Sequence, residues 1–331
     1  MECIAVINQK GGVGKTATAT NLGAGLAQLG KRVLLIDMDP QGHLSTHLGL
    51  DSKATGSGAY ELLTRDLALE KAIHRADELI DVIPSQIDLA AAEVELVSVV
   101  GREVILRDHL VRLEAAYDYA LVDCPPSLGI LTLNALTAAT RVLIPLQPHF
   151  LALQGVGKLF ETISLVSARL NPRLTVAGMV ICMYESGTKL GGEVIADLRS
   201  FLESSRGGVS PWKDARIFVS KIRRNVKLAE CPSYGQSIFD YAPKSHGAED
   251  YLALAEELVA VLEPAPAPTP APAPVVVATP PVSVVERCGS APVVRQPRTK
   301  KVVKSPPVEV EVQETVPVSV PIDATPEPVM P

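Results

Sequence analysis

Aromatic residues are scarce in this chain, and several kinds of site are missing from it. Phe, Trp and Tyr make up 4% of the 331 residues, so a core must rest on Leu, Val, Ile and Ala. The five cysteines lie far apart, with no C-x-x-C pair and no matching histidine spacing, which argues against a zinc site or an iron–sulfur cluster. No secretory signal opens the chain, and no apolar run approaches the ~18 residues that span a bilayer, so we expect a cytoplasmic protein.

The charge balance is mildly acidic. With 31 Lys and Arg residues against 37 Asp and Glu residues, the formal net charge is −6. A protein whose whole surface wraps nucleic acid is normally basic, so that class is disfavoured. A few well-placed cations are enough for phosphate contacts, which leaves room for a local basic patch.

Composition changes sharply at residue 263. Residues 264–331 contain 17 of the 27 prolines and no Phe, Tyr or Trp. Without aromatic residues this stretch cannot bury enough surface to offset the entropy of ordering it. We therefore predict a globular domain over residues 1–263 and a disordered, proline-rich tail over residues 264–331. The basic stretch 295–304 of the tail would be either a weak DNA or membrane contact or part of a solubilising spacer.

Residues 1–263 alternate between apolar runs of strand length and helical patterns. Near-continuous apolar strands predict an α/β fold, a mostly parallel sheet sandwiched by helices. The predicted strands are residues 3–7, 32–36, 79–83, 119–122, 141–146, 174–182 and 217–219. The predicted helices are residues 15–29, 89–99, 102–115, 128–139, 154–170, 193–203 and 248–262.

The first predicted strand runs through a glycine-rich loop directly into a helix. The loop reads Gln9-Lys10-Gly11-Gly12-Val13-Gly14-Lys15-Thr16 and is followed by Ala17. Its glycines let backbone N–H groups turn inward and cradle phosphate oxygens, and the helix N-terminus adds its dipole. Residues 10–17 are therefore a candidate nucleotide-binding segment of a P-loop NTPase. Lys15 would reach the β- and γ-phosphates, and the Thr16 hydroxyl would coordinate Mg²⁺.

Carboxylates follow two of the other predicted strands. Asp37 and Asp39 come just after residues 32–36, and Asp123 closes residues 119–122. Ligands of open α/β sheets lie at this end of the strands, and alternate residues point to the same side, so Asp37 and Asp39 can both face a γ-phosphate. Asp123 stands where a Walker B aspartate holds Mg²⁺ through water. The alternative for Asp37 or Asp39 is that it merely caps the next turn.

Two features of the loop sequence are typical of a known protein family. Gln9 replaces the first glycine of the usual G-x-x-x-x-G-K pattern, and a second lysine follows at Lys10. Together with the D-x-D-P-Q-G run at residues 37–42, this resembles the deviant Walker A ATPases, and ParA-type partition proteins in particular. The resemblance implies that Lys10 crosses a dimer interface to the partner's phosphates and that Asp39 orients the attacking water. The implied catalytic residues are Lys10, Lys15 and Asp39, and the implied metal site is Thr16, Asp37 and Asp123.

The nucleotide is expected to be ATP with Mg²⁺. No guanine-reading N-K-x-D or T-K-x-D motif is present, so adenine is favoured. The residues that contact the base do not follow from the sequence.

A second stretch, residues 222–235, resembles the ParA-type signature that contains I-P-R-N-V-R, and residues 242–248 continue it. In that family the cations of this stretch contribute to nonspecific binding of double-stranded DNA by the ATP-bound dimer. The resemblance extends this role to Lys189, Arg223, Arg224 and Lys227. Arg223 replaces the family's proline, and the alternative for the whole run is a solvated charged surface.

These patterns lead us to expect a ParA-type partition ATPase. By the resemblance, an ATP-dependent homodimer would bind DNA in the cytoplasm, associated with the nucleoid, and a ParB-type partner would stimulate hydrolysis to segregate chromosome or plasmid DNA. The helix at residues 248–262 runs into proline, not into a MinD-type membrane helix, so no stable membrane anchor is expected. Two alternatives stay open: a related ATPase that positions another cargo on the nucleoid, and a nucleotide-gated scaffold with little turnover.

Overall fold

The structure, a computed structural model, describes residues 1–50, 56–65, 67–149, 152–187 and 189–263. The prediction of a disordered tail over residues 264–331 lies outside these ranges. Within them, no helix is long and apolar enough to cross a membrane.

Eight strands form one sheet with the order β3-β4-β2-β5-β1-β6-β7-β8. All neighbouring pairs are parallel except β3 and β4, which form an antiparallel pair at one edge. The strands are β1 Glu2–Val6, β2 Val33–Asp37, β3 His74–Asp77, β4 Ile80–Ile83, β5 Tyr119–Asp123, β6 Arg141–Leu146, β7 Thr175–Ile181 and β8 Arg216–Ile217.

Twelve α-helices lie within the described ranges, together with two 3₁₀ turns at residues 96–98 and 111–113. They are α1 Lys15–Gln28, α2 His43–His47, α3 Ala59–Thr64, α4 Leu69–Ala72, α5 Leu89–Glu95, α6 Ile105–Leu110, α7 Ile130–Ala138, α8 Ala152–Arg169, α9 Lys189–Ser204, α10 Val226–Tyr234, α11 Ile238–Tyr241 and α12 His246–Leu262.

The two faces of the sheet carry separate cores because successive strand residues point to opposite sides. Ile4 and Val6 of β1 pack with α1, α10 and α12 on one face. Cys3 and Ala5 pack with α5, α7, α8 and α9 on the other. The central strands are buried on both sides, which explains why their sequences are almost entirely apolar. The predicted α/β fold, a parallel sheet between two helical layers, is confirmed.

Six described elements have no counterpart among the predicted ones, namely β3, α2, α3, α4, α10 and α11, and two of them show why. The first is β3, whose residues His74–Asp77 alternate between half-buried and exposed positions and contain no apolar run. The second is α10, which holds Pro232 in its last turn and is nevertheless helical. Its start is fixed by Asn225, whose side chain accepts a hydrogen bond from the Lys227 N–H. Proline and sparse apolar residues conceal such elements from pattern analysis.

Candidate active site

The glycine-rich loop leaves the carboxyl end of β1 and enters α1 at Lys15. Gly12 and Gly14 have φ values of 72° and 96°, a left-handed conformation that residues with a Cβ rarely adopt. Among the described residues no side chain caps the first turn of α1, so its N–H groups are open to a ligand. The loop thus has the backbone geometry that suits an anion, and its role in binding one stays a prediction.

The two lysines of the loop have different environments. Lys15 is 7% exposed, and its Nζ donates a 3.4 Å hydrogen bond to the Lys10 carbonyl oxygen. Burial lowers the pKa of Lys15, an effect that the nearby carboxylates of Asp123 and Asp39 oppose. The side chain of Lys10 is exposed. One lysine therefore faces inward along the loop, while the other is accessible from outside the molecule.

Asp37 and Asp123 end two neighbouring strands, β2 and β5, and are paired in register. Asp37 is fully buried and accepts hydrogen bonds from the Ser45 N–H and hydroxyl and from the Asp39 N–H. Burial raises its pKa to about 7 in spite of these donors.

Asp123 is 1% exposed, and neither of its carboxylate oxygens has a hydrogen-bond partner among the described residues. Burial, and next the charge of Asp37, raise the pKa of Asp123 well above its usual range, while the nearby Thr16 hydroxyl acts in the opposite direction. A buried, unpartnered carboxylate is costly, so this position calls for a cation. Two carboxylates and a hydroxyl at the phosphate loop are the oxygen donors that a nucleotide-bound Mg²⁺ uses, so the residues present fit that ion.

Asp39 is half-buried, two residues beyond the end of β2. Its Oδ1 accepts a 3.0 Å hydrogen bond from the Gln41 N–H, and its carbonyl accepts one from the Gly42 N–H. The turn-capping alternative for Asp39 is thus real, but its charge also acts on the pKa of Lys15 and Asp123. The structure brings together Lys15, Thr16, Asp37, Asp39 and Asp123, as the sequence predicts.

A cavity of about 390 Å³ opens beside the loop, which the sequence did not reveal. Gly14 and Ala17 form its loop side, and Met183 has a left-handed φ of 52° beside it. Non-glycine residues in this conformation are uncommon and cluster at functional sites. The remaining lining residues are Cys182, Ile222, Arg223, Arg224, Asn225, Val226, Leu228, Ala229 and Tyr251.

The predicted DNA-binding cations fall into two groups. Arg224 and Lys227 are exposed, and each forms a single ion pair, with Glu185 at 3.0 Å and with Glu230 at 2.8 Å. Lys189 is exposed at the start of α9. Arg223 differs, because its guanidinium is bound to Asp250 at 2.6 Å and to Glu249 at 3.1 Å. All four cations reach the surface, but Arg223 is the one whose guanidinium is bound by two carboxylates.

Comparison with known proteins gives consistent matches. A family model described as an AAA domain matches residues 1–176. The sporulation initiation inhibitor protein Soj of Bacillus subtilis is 44% identical over 258 residues, which cover 78% of this chain and 98% of that protein. The chromosome partitioning protein ParA of Myxococcus xanthus is 44% identical over 257 residues, covering 77% of this chain and 87% of that protein. A solved structure from Mycobacterium smegmatis, described as cobyrinic acid a,c-diamide synthase with bound ADP and magnesium, is 37% identical, with a TM-score of 0.68 over 80% of this chain and 96% of that one.

A parallel sheet with a phosphate loop after β1 and acidic residues ending β2 and β5 defines a P-loop nucleotide hydrolase. More specifically, the chain belongs to the ParA/Soj family of partitioning ATPases. The predictions of the fold class, the family and an ATP-hydrolysing enzyme are confirmed. The roles of the individual site residues stay predictions.

Proposed function

We propose that this chain binds ATP with Mg²⁺ and hydrolyses it, and that hydrolysis sets the timing of a DNA partition cycle. The observation that carries the proposal is the buried Asp123 carboxylate, whose oxygens accept no hydrogen bond of normal geometry from the described residues and which lies close to Asp37 and Thr16 beside the phosphate loop. A cation is needed there, and magnesium with a nucleotide is the natural source in this fold. The ADP and magnesium described for the Mycobacterium structure support the same choice.

Each residue of the site has a separate task in this proposal. Backbone N–H groups of residues 11–16 hold the phosphates, and the buried Lys15 ammonium neutralises the β- and γ-phosphate oxygens. Thr16, Asp37 and Asp123 would hold Mg²⁺, which when bound neutralises charge on the phosphates. Asp39 is accessible enough to orient a water molecule in line with the γ-phosphorus atom and to accept its proton.

The cavity beside Gly14 and Ala17 is the proposed pocket for the adenine base. It continues directly from the loop, and apolar side chains such as Met183 and Val226 line it. A flat heteroaromatic ring binds well against such side chains, while the loop holds its phosphates. These residues supply the base contacts that could not be assigned from the sequence.

The working unit is proposed to be a homodimer formed with ATP. Lys10 lies exposed at the rim of the site, where a second copy of the chain would be within reach of its ammonium. A cation that reaches the γ-phosphate of a neighbouring subunit would stabilise charge in the transition state, as an arginine finger does. The dimer would then join two sets of the exposed cations Lys189, Arg224 and Lys227 into one surface for nonspecific DNA binding near the nucleoid. A ParB-type partner would accelerate hydrolysis and release.

Phosphate release from purified protein tests the proposal. We expect Mg²⁺-dependent hydrolysis of ATP that rises with double-stranded DNA and rises further with a ParB-type partner. A protein that binds ATP and DNA but never turns over, even with the partner, would instead be a nucleotide-gated scaffold. Failure to bind ATP would refute the proposal outright.

A further inference from the structure

One short segment, residues 222–229, belongs to two surfaces at once. Its residues form one wall of the cavity beside Gly14 and Ala17. The same segment carries Arg224 and Lys227, which are exposed on the outside of the molecule. Any displacement of this segment therefore alters the proposed base pocket and the cationic surface together.

The segment is held on one side by backbone hydrogen bonds. The Tyr184 N–H donates to the Ile222 carbonyl at 2.9 Å, and the Arg224 N–H donates to the Tyr184 carbonyl at 3.2 Å. These two bonds form an isolated β-bridge, in which Tyr184 pairs with Arg223 and the neighbouring residues do not pair. The Ile222 N–H also donates to the Ile181 carbonyl at 2.8 Å and Ile222 is buried, so this side anchors the start of the segment, while beyond Ile222 the bridge adds only neutral hydrogen bonds.

On its other side the segment is held by an ion pair between Arg223 and Asp250 that contains several hydrogen bonds. The Arg223 N–H donates to Asp250 Oδ2 at 2.9 Å, while its Nε and Nη2 donate to Asp250 Oδ1 at 2.9 and 2.6 Å. The Asp250 side chain is only 9% exposed, and the next residue of α12, Tyr251, lines the cavity. Forked, charge-assisted contacts of this kind are the strongest hydrogen bonds in proteins and fix orientation as well as distance.

We propose that the Arg223–Asp250 ion pair is a positioning device that fixes residues 222–229, so that adenine binding and DNA binding depend on the same clamp. Arg223 thereby acts through the segment, because a DNA phosphate would have to displace two carboxylates from its guanidinium. The inference rests on the proposed function, which places the base in the cavity and DNA on the exposed cations.

The test compares ATP with inorganic tripolyphosphate, which occupies the phosphate loop but has no base. For Asp250→Asn we expect ATP affinity to fall about tenfold, the size of one lost charge-assisted hydrogen bond, with tripolyphosphate affinity unchanged. ATP-dependent retention on double-stranded DNA should fall as well. Asp118→Asn is the matched control, because Asp118 accepts from the N–H and the guanidinium of Arg32 in the same way. Arg32 and Asp118 stand before the first residues of β2 and β5, far from the cavity, so neither ligand should bind differently.

Arg223→Lys provides a second, milder variant in case Asp250→Asn fails to fold. Lysine keeps the charge but loses the fork, so the clamp predicts weaker ATP binding and normal tripolyphosphate binding. Normal ATP affinity in both variants would overturn the clamp, as would an equal loss of tripolyphosphate binding, which would indicate general damage to the fold. If wild-type protein binds neither ATP nor DNA, the proposed function fails. The clamp concerns only whether ATP binding and DNA binding depend on the same ion pair.

Discussion

Removing the charge of Asp123 should make the nucleotide-free protein more stable, although the residue lies in the proposed active site. Asp37 and Asp123 are register neighbours on adjacent strands, and both are fully buried. Strands lie about 5 Å apart, so at an effective dielectric constant near 20 two ionised carboxylates repel by about 3 kcal/mol. We therefore expect Asp123→Asn to raise the free energy of unfolding by about 3 kcal/mol at about pH 8 without nucleotide or Mg²⁺.

The pH dependence of this gain follows from the raised pKa values. Asp37 has a pKa near 7 in the folded protein against 3.8 ordinarily, so the folded state retains a proton that the unfolded state has lost. Stability must then fall as pH rises from about 4 to about 7, and the penalty is complete above that window. The shift of Asp37 comes chiefly from burial, with the charge of Asp39 adding to it, whereas the pKa of Asp123 is raised by burial and by the charge of Asp37, and it is this second penalty that Asp123→Asn removes. The advantage of Asp123→Asn should accordingly shrink towards zero at about pH 5, where the acid pair holds its protons.

Thermal and urea unfolding with a chelator at the two pH values measures the effect. A gain of 3 kcal/mol corresponds to a rise in Tm of roughly 6–12 °C for a domain of this size. Asp118→Asn should show the opposite sign, because hydrogen bonds from Arg32 lower the pKa of Asp118 and its ionised form therefore stabilises the fold. The reasoning fails if Asp123→Asn is no more stable than wild type at the higher pH, or if its advantage persists unchanged at the lower one.

Three further substitutions probe the individual residues. Asp39→Ala should leave ATP binding intact but slow hydrolysis by at least a hundredfold, trapping an ATP-bound dimer on DNA, as single-turnover and DNA-retention assays would measure. Lys10→Ala should bind ATP as a monomer and lose turnover, which light scattering with ATP would detect. Arg224→Glu should form the ATP dimer normally yet lose DNA retention, because one charge reversal in each subunit weakens a surface that works by phosphate contacts.

Each of these outcomes can be contradicted plainly. Unchanged turnover in Asp39→Ala would leave that residue only its turn-capping role. A normal ATP dimer from Lys10→Ala would mean that the exposed lysine does not reach the partner's nucleotide. Full DNA retention by Arg224→Glu, at several salt concentrations, would move the DNA surface elsewhere on the molecule.

Much of this architecture is predictable from the sequence because its signals are local. Buried parallel strands must be apolar throughout, so β5 and β6 are visible as runs of Val, Leu and Ile. The phosphate loop is equally visible, since the glycines at positions 12 and 14 are required by left-handed backbone angles. The two aspartates Asp37 and Asp123 follow from the strand ends alone, because parallel strands present their carboxyl ends at one edge.

The rest depends on contacts between residues far apart in the chain. The cavity beside the loop joins Gly14 with residues 182–183, 222–229 and 251, and no pattern in one stretch could predict that grouping. Arg223 is the clearest case. In the sequence it stands beside Arg224 and close to Lys227, yet its partner Asp250 lies 27 residues away on α12. The sequence shows that residue 223 is a cation, but it does not show that a distant carboxylate already forms an ion pair with it.

The most direct test of the central claim is the release of phosphate from ATP by the purified chain and its Lys15→Ala variant, with and without Mg²⁺. Lys15 is the buried cation of the loop, so its loss should abolish nucleotide binding and turnover, and circular dichroism would check that the variant is folded. The account predicts hydrolysis by wild-type protein that requires Mg²⁺ and is stimulated by DNA and a ParB-type partner, and none by the variant. Equal hydrolysis by the Lys15→Ala protein, or hydrolysis indifferent to Mg²⁺, would contradict it.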